Sequence, residues 1–418
     1  MHGKMKIMFA YKHPLDILLF PIYIFFGFIL LIFTNAKHHQ IYANRVGHLC
    51  CEMEYYVARR KLNGISNEFH IFTYTGIVAN KFVLKKFSES IFILPYSSLA
   101  AIVYNKILPK IQWFYALDIP GNILKTKSSV KLSDSEKNKA EKLASKIGVN
   151  LNKPIVLIFN RDSLYLERHF SREEASFSYH DYRDYPISDM YEATKALISL
   201  GYHVVRVGRY FKEKADFDLN EFTDYTDYEP NDLLEVYLFS ICKFVVGTPS
   251  GLYQMATLQR KPVVFTNMAP VINLFYQKST KNDIFIVQKY KNMLDNSILT
   301  SSEIKKLNAQ SIFLSEHFVE SNIELVKNTP DEIKNAAIEM HVRLEGNTIR
   351  KKCMIEKQEK FYTILVPDIT KAIKGTFGFY FTDESHPVWL ELNNNMEFGK
   401  AFPDVADSYL ENNKWMHT

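Results

Sequence analysis

Residues 241–265, ICKFVVGTPSGLYQMATLQRKPVVF, predict a strand, a tight turn, a helix and a second strand in one continuous pass. The run Phe244–Val246 is short and apolar, and Gly247–Gly251 turns the chain. Apolar residues at helical spacing then predict a helix over Leu252–Gln259, and a second strand begins at Val263. A strand–helix–strand unit of this kind is typical of α/β proteins with a parallel sheet.

The turn of this segment, Gly247-Thr248-Pro249-Ser250-Gly251, is a candidate phosphate site. Its two glycines allow a close backbone approach that a β-carbon would obstruct. Ser250 can cap the following helix, whose free N–H groups and positive dipole end attract an anion. An ordinary βα turn that binds nothing has the same composition, so the interpretation depends on the residues around it.

The composition is globular, and the length is that of an enzyme-sized α/β protein with two domains. The chain has 418 residues, 47% of them hydrophobic, and a net charge of +5. This charge is too small for a nucleic-acid-binding footprint, although it suits anionic partners such as nucleotides or lipid head groups. The four cysteines show neither zinc-ligand spacing nor a disulfide framework, which favours a reducing compartment.

An apolar segment near the amino terminus, residues 17–33, carries no charge. Its length is at the lower edge of a membrane span, and Pro21 and Gly27 interrupt it. A helix lying in the cytoplasmic leaflet, a single span and a buried core helix all remain open. We expect membrane association, with the body of the protein at the cytoplasmic face of the inner membrane.

Composition along the chain suggests five segments. We predict a membrane-associating segment (1–36), an N-terminal Rossmann-like acceptor domain (37–130), a polar linker (131–153), a C-terminal Rossmann-like donor domain (154–346) and a C-terminal extension that packs back on the N-terminal domain (347–418).

Cationic and polar residues follow successive predicted strands of the second domain. Ligands of α/β folds bind at such strand ends, and arginine forks bind phosphates well. The candidate donor-binding residues outside the turn are Asn160, Arg161, Asp162, His180, Tyr182, Arg183, Arg206, Gly208, Arg209, Asp224 and Tyr225. Ion pairing, for example of Arg183 with Asp184, would be a purely structural explanation of the arginines.

The first domain offers polar residues where its first loop meets a helix. Arg45, Gly47, His48 and Glu52 are candidates for the acceptor side, and His48 or Glu54 is a candidate catalytic base. Capping and favourable helix charges are equally plausible roles for these residues. Since the carboxylates at 216 and 218 lie in a polar loop and no metal-ligand spacing occurs elsewhere, we expect no required metal or other cofactor.

Several motifs in a fixed order resemble a family of GT-B-type glycosyltransferases from bacterial surface-polysaccharide gene clusters (exopolysaccharide, O-antigen or capsule). The resemblance covers about residues 15–418. The motifs are NRVGHLCCEMEYY (44–56), IFILPYSSLA (91–100), NRDSLY (160–165), SYHDYRDY (178–185), GYHVVRVGR (201–209), FTDYTDY (222–228), CKFVVGTPSGLYQMATLQRKPVVF (242–265), NTPDEIKNAAIEMHVRLEG (328–346) and FPDVADSYLENN (402–413).

The resemblance implies an α/β protein of GT-B architecture, in which two Rossmann-like domains face each other across a cleft. It implies a nucleotide-sugar donor held by the second domain and a glycan or lipid-linked acceptor. Arg161 and the GTPSG turn also look like phosphate-binding features of heptosyltransferase-like and fucosyltransferase-like enzymes. A pyruvyl transferase, a sugar epimerase and a non-catalytic membrane scaffold of polysaccharide assembly remain alternatives.

Overall fold

The computed structural model describes residues 14–63, 69–74, 76–94, 98–109, 121–169, 177–271, 280–346, 350–365 and 403–418. The chain divides into two compact units. The first unit comprises Met1–Tyr115 with Ser129–Lys131, and the second comprises Ala116–Ser128 with Leu132–Thr418.

The helices and strands alternate along most of the described chain. The helices are α1 (Pro14–Phe33), α2 (Val46–Asn63), α3 (Lys81–Ser88), α4 (Ser98–Ile107), α5 (Asn122–Lys125), α6 (Asp134–Lys146), α7 (Leu164–His169), α8 (Tyr191–Ser199), α9 (Asp232–Ile241), α10 (Tyr253–Leu258), α11 (Ser301–Lys306), α12 (Ser315–Glu320), α13 (Pro330–Leu344), α14 (Lys352–Leu365) and α15 (Asp407–Asn412). The strands are β1 (Lys37–Ile41), β2 (His70–Tyr74), β3 (Ile155–Phe159), β4 (His203–Arg206), β5 (Phe222–Asp224), β6 (Phe244–Gly247), β7 (Val263–Met268), β8 (Ile284–Val287), β9 (Lys289–Asn292), β10 (Ile323–Val326) and β11 (Asp404–Val405).

The described part of the first unit is built on a short parallel sheet. Strands β1 and β2 pair in parallel from Lys37↔His70 to Ile41↔Tyr74, and Phe72 makes one further parallel bridge to Ile93. Helices α2 and α4 pack against these strands. The unit is therefore α/β, as predicted.

The second unit contains a parallel sheet of seven strands in the order β11-β8-β7-β6-β3-β4-β5. Apart from β11, this is the strand order of the dinucleotide-binding fold, in which the order reverses between the first and fourth strands. Those two strands are β3 and β6 here. All residues of β3, β4, β6, β7 and β8 are buried, because helices cover parallel sheets on both faces.

The segment that predicted the fold occupies the centre of this sheet. Its two strands, β6 and β7, are adjacent and parallel, with Val245 opposite Val263. The helix between them, α10, is one residue shorter at each end than the helix predicted over Leu252–Gln259. The strand–turn–helix–strand prediction is confirmed.

Residues 131–153, which we interpreted as a linker, contain a helix of the second unit. Ser133 and Glu136 form a capping box at the start of α6, and Ala140 and Ala144 are buried where α6 packs on α9. The inward stripe of α6 is only two alanines wide, so the surrounding lysines and glutamates obscured it in the sequence.

The C-terminal extension joins the second unit in its described parts, residues 350–365 and 403–418, rather than packing on the first unit as we predicted. Strand β11 pairs in parallel with β8, from Asp404↔Ile284 to Val405↔Phe285. Arg343 on α13 donates to Asp404 at 2.9 Å, and Arg350 pairs with Asp407. These ion pairs join the last strand and helix to the sheet, which no local sequence pattern indicates. Residues 366–402 lie outside the described residues.

The apolar segment near the amino terminus forms α1, which packs on α4 within the first unit. A search of the described helices found none that is long and apolar enough to cross a membrane.

Candidate functional site

The reversal of strand order in the second unit brings two predicted phosphate-binding elements together. In the parallel pair β3–β6, Phe159 lies opposite Gly247. Asn160 and Arg161 therefore leave the sheet next to the turn that begins at Gly247. The crevice at this point of an open parallel sheet is where such folds bind their ligands.

The turn after β6 depends on close contact with Phe159. A β-carbon added at Gly247 would lie 2.4 Å from the Phe159 ring, so only glycine fits there without movement. Ser250 does not cap α10, whose N-cap residue is Leu252, but its Oγ accepts the Leu252 N–H at 3.3 Å. The Thr248 side chain is fully buried, and its hydroxyl has no hydrogen-bond partner among the residues that the structure describes.

Arg161 lies beside this turn and is held by the segment that follows α7. Its guanidinium donates to the His180 carbonyl at 3.2 Å and forms an ion pair with Asp184. Sequence reasoning had suggested Asp184 as a partner of Arg183 instead. Asp184 thus pairs with Arg161, so ion pairing is a structural role of Arg161. Asp184 also lies at the candidate site, although we had not predicted it there.

Burial controls the electrostatics of Asp184. Burial raises its pKa to about 6, although the Arg161 guanidinium opposes this shift. The nearby carboxylates of Asp181 and Asp162 contribute to the rise, and Arg183 opposes it. Arg161 therefore has as its counter-ion a carboxylate whose ionised form is disfavoured by its surroundings.

Asp162 has a structural role next to this pair. Its carboxylate accepts the Leu164 N–H at 2.9 Å and the Lys212 N–H at 2.8 Å. The Lys212 ammonium donates to Ser163 at 2.5 Å and pairs with Glu167 at 2.8 Å. Lys212 is a cation near the end of β3 that sequence reasoning missed, because its loop is joined to this site only by tertiary contacts.

Arg206, Asn160 and Asp224 form a buried network that connects neighbouring strands. The fully buried Arg206 guanidinium donates to Asp224 at 2.9 Å and to the Asn160 side chain at 3.2 Å. It also donates to the Glu213 carbonyl at 2.9 Å, and Asn160 donates to the Tyr185 carbonyl at 3.0 Å. These contacts give all three residues a structural role. For Arg206 this is the ion-pairing alternative, whereas for Asn160 and Asp224 we had predicted only donor binding.

Arg209 is also occupied by carboxylates. It donates to Glu235 at 2.5 Å and to Asp232 at 2.6 Å, and the Tyr225 hydroxyl donates to Glu235 at 3.2 Å. Gly208 has a φ of +128°, and a β-carbon there would lie 2.6 Å from the Phe211 ring. Gly208, Arg209 and Tyr225 therefore shape the loop after β4 and its contact with α9.

His180, Tyr182 and Arg183 lie on a 3₁₀ turn over Phe177–Arg183. The His180 and Phe313 rings meet edge to face, with centroids 4.7 Å apart. The Tyr182 hydroxyl donates to the Phe313 carbonyl at 3.3 Å, and burial raises the pKa of this tyrosine. The turn is thus fastened to the segment around residue 313, and through the His180 carbonyl it also holds Arg161.

The first unit contains a separate polar cluster on its first strand and the following helix. The fully buried Glu52 carboxylate contacts His48 Nδ1 at 2.7 Å through one oxygen and His39 Nε2 at 3.2 Å through the other. Burial disfavours the ionised form of Glu52, but the hydrogen bonds with the two imidazoles outweigh it and lower the Glu52 pKa. The His48 side chain is 35% exposed.

Glu54, our second candidate base, lies in a different environment. It is 1% exposed, and its two oxygens accept the Ser129 N–H at 3.1 and 3.3 Å and also the Ser129 hydroxyl. Glu54 therefore anchors the segment around Ser129, and of the two candidate bases only His48 is partly exposed. Arg45 and Gly47 lie at the start of α2, next to His48 in the chain.

A search of the described residues found no group of three or more histidine, cysteine, aspartate or glutamate side chains placed to hold a metal ion. Each oxygen of Glu52 contacts a different imidazole, so His39, Glu52 and His48 form a hydrogen-bonded cluster in the first unit.

No protein-family model matches the chain, and no curated protein matches it. Among solved structures, the chain is similar to ADP-heptose lipopolysaccharide heptosyltransferase II of E. coli, at 14% identity and a TM-score of 0.39 over 60% of this chain and 90% of that one. It is also similar to a family 9 glycosyltransferase of Veillonella parvula, at 8% identity and a TM-score of 0.41 over 74% and 97%. The iron-containing glycosyltransferase TibC of enterotoxigenic E. coli aligns at 15% identity and a TM-score of 0.32 over 59% and 62%. Likenesses this remote do not assign an activity.

Replacing Asp224 with Ala should destabilise the second unit by about 3–5 kcal/mol, because it leaves the buried Arg206 charge without its carboxylate. Urea unfolding followed by circular dichroism would measure the change. The control is Lys137→Ala, which removes an exposed pair with Asp134 and should change stability by about 0.5 kcal/mol or less. Equal effects of the two substitutions would show that the Arg206 network does not support the sheet.

Asp184→Asn should change how stability depends on pH. A folded-state pKa of about 6, above the usual 3.8, means that the protonated carboxyl stabilises the fold at low pH. This contribution is complete below about pH 4 and is lost as the pH rises through about 6. Relative to wild type, the variant should therefore become progressively more stable between those values, as measured by urea midpoints. A stability difference that is constant with pH, as expected for the exposed Asp134→Asn, would contradict the proposed environment of Asp184.

Proposed function

We propose that the chain is a glycosyltransferase that moves a sugar from a nucleotide-sugar donor to a lipid-linked or growing bacterial surface glycan, at the cytoplasmic face of the inner membrane. The observation that carries the proposal is the Phe159↔Gly247 pairing. It brings Arg161 and the Gly247–Gly251 turn together where the strand order of a nucleotide-binding sheet reverses. The motif order that resembles polysaccharide glycosyltransferases supports the same reaction class.

The donor diphosphate is proposed to bind between Arg161 and the turn. Among the described contacts, Arg161 uses only Nη1 to hold the Asp184 carboxylate and the His180 carbonyl. A guanidinium can bind a phosphate through two parallel N–H groups. Because the surroundings of Asp184 disfavour its charge, exchanging that carboxylate for a phosphate should cost little. The buried Thr248 hydroxyl has no partner among the described residues, and a phosphate oxygen would accept its hydrogen bond.

Arg161 and the turn would then stabilise the leaving nucleotide. In the transfer, the bond between the anomeric carbon and the phosphate oxygen breaks, and negative charge collects on the phosphate. Preorganised donors aimed at that charge stabilise it in the way that a divalent ion does in other transferases. We therefore propose that the reaction requires no metal and no other cofactor.

His48 is proposed as the base for a direct displacement. As the acceptor hydroxyl oxygen bonds to the anomeric carbon, its proton would pass to the imidazole. With Nδ1 directed at Glu52, the nitrogen that would take the proton is Nε2, and the ionised Glu52 would stabilise the resulting imidazolium. Glu52 is thus a positioning residue, although we had first grouped it with the acceptor side.

The scaffold alternative has one observation in its favour. It predicts that the arginines at the strand ends are ion-paired, and Arg161, Arg206 and Arg209 all have carboxylate partners. The difference lies in burial and charge balance. Arg206 is fully buried in a closed network and Arg209 has two carboxylates, whereas Arg161 lies beside the turn with a carboxylate of raised pKa. A measurement of nucleotide binding would therefore distinguish the scaffold from the glycosyltransferase.

We expect two substitutions to weaken binding of the donor nucleotide. Binding would be measured as the shift in melting temperature caused by UDP, GDP, CMP, ADP, dTDP and their sugar conjugates. One nucleotide should raise the melting temperature of the wild type by mass action, with or without EDTA. Arg161→Ala should abolish that shift. Thr248→Val should reduce it without lowering the melting temperature of the free protein, because valine fills the same space and removes an unsatisfied buried hydroxyl.

The control for charge removal is Lys195→Ala, on the exposed face of α8. It should retain the full nucleotide shift. No shift with any nucleotide, with lipid or detergent also present, would favour the scaffold. A shift that requires a divalent ion would contradict the metal-independent mechanism. If a nucleotide binds but no glycan is extended, the pyruvyl transferase and epimerase alternatives become the better hypotheses.

His48→Gln should lower kcat by about 10²–10⁴-fold, with a smaller effect on donor affinity. Glu52→Gln should lower kcat by a smaller factor and shift the acidic limb of the pH–rate profile, because it removes the negative charge beside the imidazole. Turnover with the donor identified above would measure both effects. His317→Gln is the matched control, since His317 is 50% exposed on α12. Unchanged turnover in His48→Gln would remove His48 from the mechanism while leaving the donor site intact.

A further inference from the structure

From residue 17 to its end, helix α1 is apolar on all sides, but it contacts the protein along one stripe. Tyr23, Ile24 and Leu30 pack on the cluster that includes Tyr104 of α4. A β-carbon at Gly27 would lie 3.2 Å from the Tyr104 ring, so the two helices approach closely there. This stripe is the face that folding buries.

The other sides of α1 expose large apolar side chains. Their exposed fractions run from 38% for Phe20 to 78% for Phe33. The exposed residues are Phe20, Ile22, Phe25, Phe26, Phe28, Leu31, Ile32 and Phe33. Apolar surface of this extent on one helix is unfavourable in water and marks an interaction site. We call these residues the α1 apolar face.

The charge of the chain is unevenly distributed around this face. Residues 1–115 contain 13 Lys and Arg against 5 Asp and Glu, a net charge of +8. Residues 116–418 contain 38 against 41, a net charge of −3. Two of the five acidic residues, Glu52 and Glu54, are buried, so the surface of the first unit is more basic than the composition suggests.

Some of this positive charge lies next to α1. Lys37 begins the strand that follows the helix, and the exposed Lys106 is next in the chain to Ile107, which packs against Gly27. In the sequence, Lys4, Lys6 and Lys12 precede the helix. The apolar face thus has lysines before it, after it and on the helix that supports it.

We infer that the α1 apolar face docks on a bilayer surface rich in anionic phospholipid. The phenylalanines would enter the boundary between head groups and acyl chains, and the flanking lysines would contact the anionic head groups. A second copy of the chain is a poorer occupant, because the apolar face of each copy would bring another strongly basic unit with it. This inference does not depend on the reaction proposed above.

The full chain should be tested by flotation with vesicles of phosphatidylcholine, alone or with about one-third phosphatidylglycerol. We expect binding to the anionic vesicles that exceeds binding to the neutral ones at least about tenfold and weakens at high salt. A Phe25→Ser, Ile32→Ser, Phe33→Ser triple variant should bind at least about tenfold more weakly to both, since it removes three apolar anchors. Lys37→Gln and Lys106→Gln should each reduce only the preference for anionic vesicles, by about fivefold.

The matched control is Leu294→Ser, which removes an exposed leucine of the second unit that is 77% accessible. It should bind vesicles as the wild type does. Equal binding to neutral and anionic vesicles would overturn the role of the charge. Wild-type binding by the triple variant would overturn the role of the apolar face. If the wild type does not bind vesicles but forms a dimer, and the triple variant is a monomer, the α1 apolar face would be assigned to self-association instead.

Discussion

The interactions of the buried Arg206 guanidinium are those on which the ends of strands β3, β4 and β5 depend. A fully buried charge needs a counter-charge and hydrogen bonds, and the two terminal nitrogens of Arg206 draw theirs from three different segments, whereas its Nε has no hydrogen-bond partner among the described residues. Asp224 comes from the neighbouring strand, Asn160 from the end of β3, and the Glu213 carbonyl from the loop that follows β4. Asp224 compensates the charge, and the other two segments supply neutral hydrogen-bond acceptors. The same contacts fix Asn160, which in turn holds the Tyr185 carbonyl and the chain next to Asp184.

This arrangement explains why three arginines with similar sequence settings have different roles. Arg161, Arg206 and Arg209 all follow or end parallel strands, and from the sequence each is an equally good phosphate ligand. Their distinction lies in partners that come from other parts of the chain, namely Asp184, Asp224 and the Asp232–Glu235 pair. Periodicity and turn composition predicted β3, β6 and the turn between β6 and α10, because those signals are local. The different roles of the three arginines depend on tertiary contacts, which only the structure shows.

In the first unit, too, the roles of polar residues depend on partners from other parts of the chain. His48 and Glu52 are four residues apart on a helix, so their contact follows from helical spacing once α2 is assigned. His39 reaches the same carboxylate from β1, and Glu54 turns instead to Ser129, which comes from the segment just before α6. The two glutamates, which we had assigned to the acceptor side and to the catalytic base, thus become an imidazole partner and an internal anchor. The C-terminal extension shows the same limit of local patterns, since β11 is only two residues long and is held by Arg343 and Arg350.

The first unit is net positive and the second net negative, which is consistent with the two units binding different partners. A reaction that joins a water-soluble, anionic donor to a lipid-linked acceptor needs one surface that tolerates a membrane and one site that binds phosphate. The phosphate site that we propose in the second unit relies on a single arginine in a unit whose sequence is net acidic, so a free anion would be attracted by the local site rather than by the whole surface. The first unit, by contrast, combines net positive charge with the α1 apolar face, which favours an extended anionic surface over a small anion. If both proposals hold, the membrane and the nucleotide are attracted to different parts of the chain, so the basic unit need not compete with Arg161 for the donor.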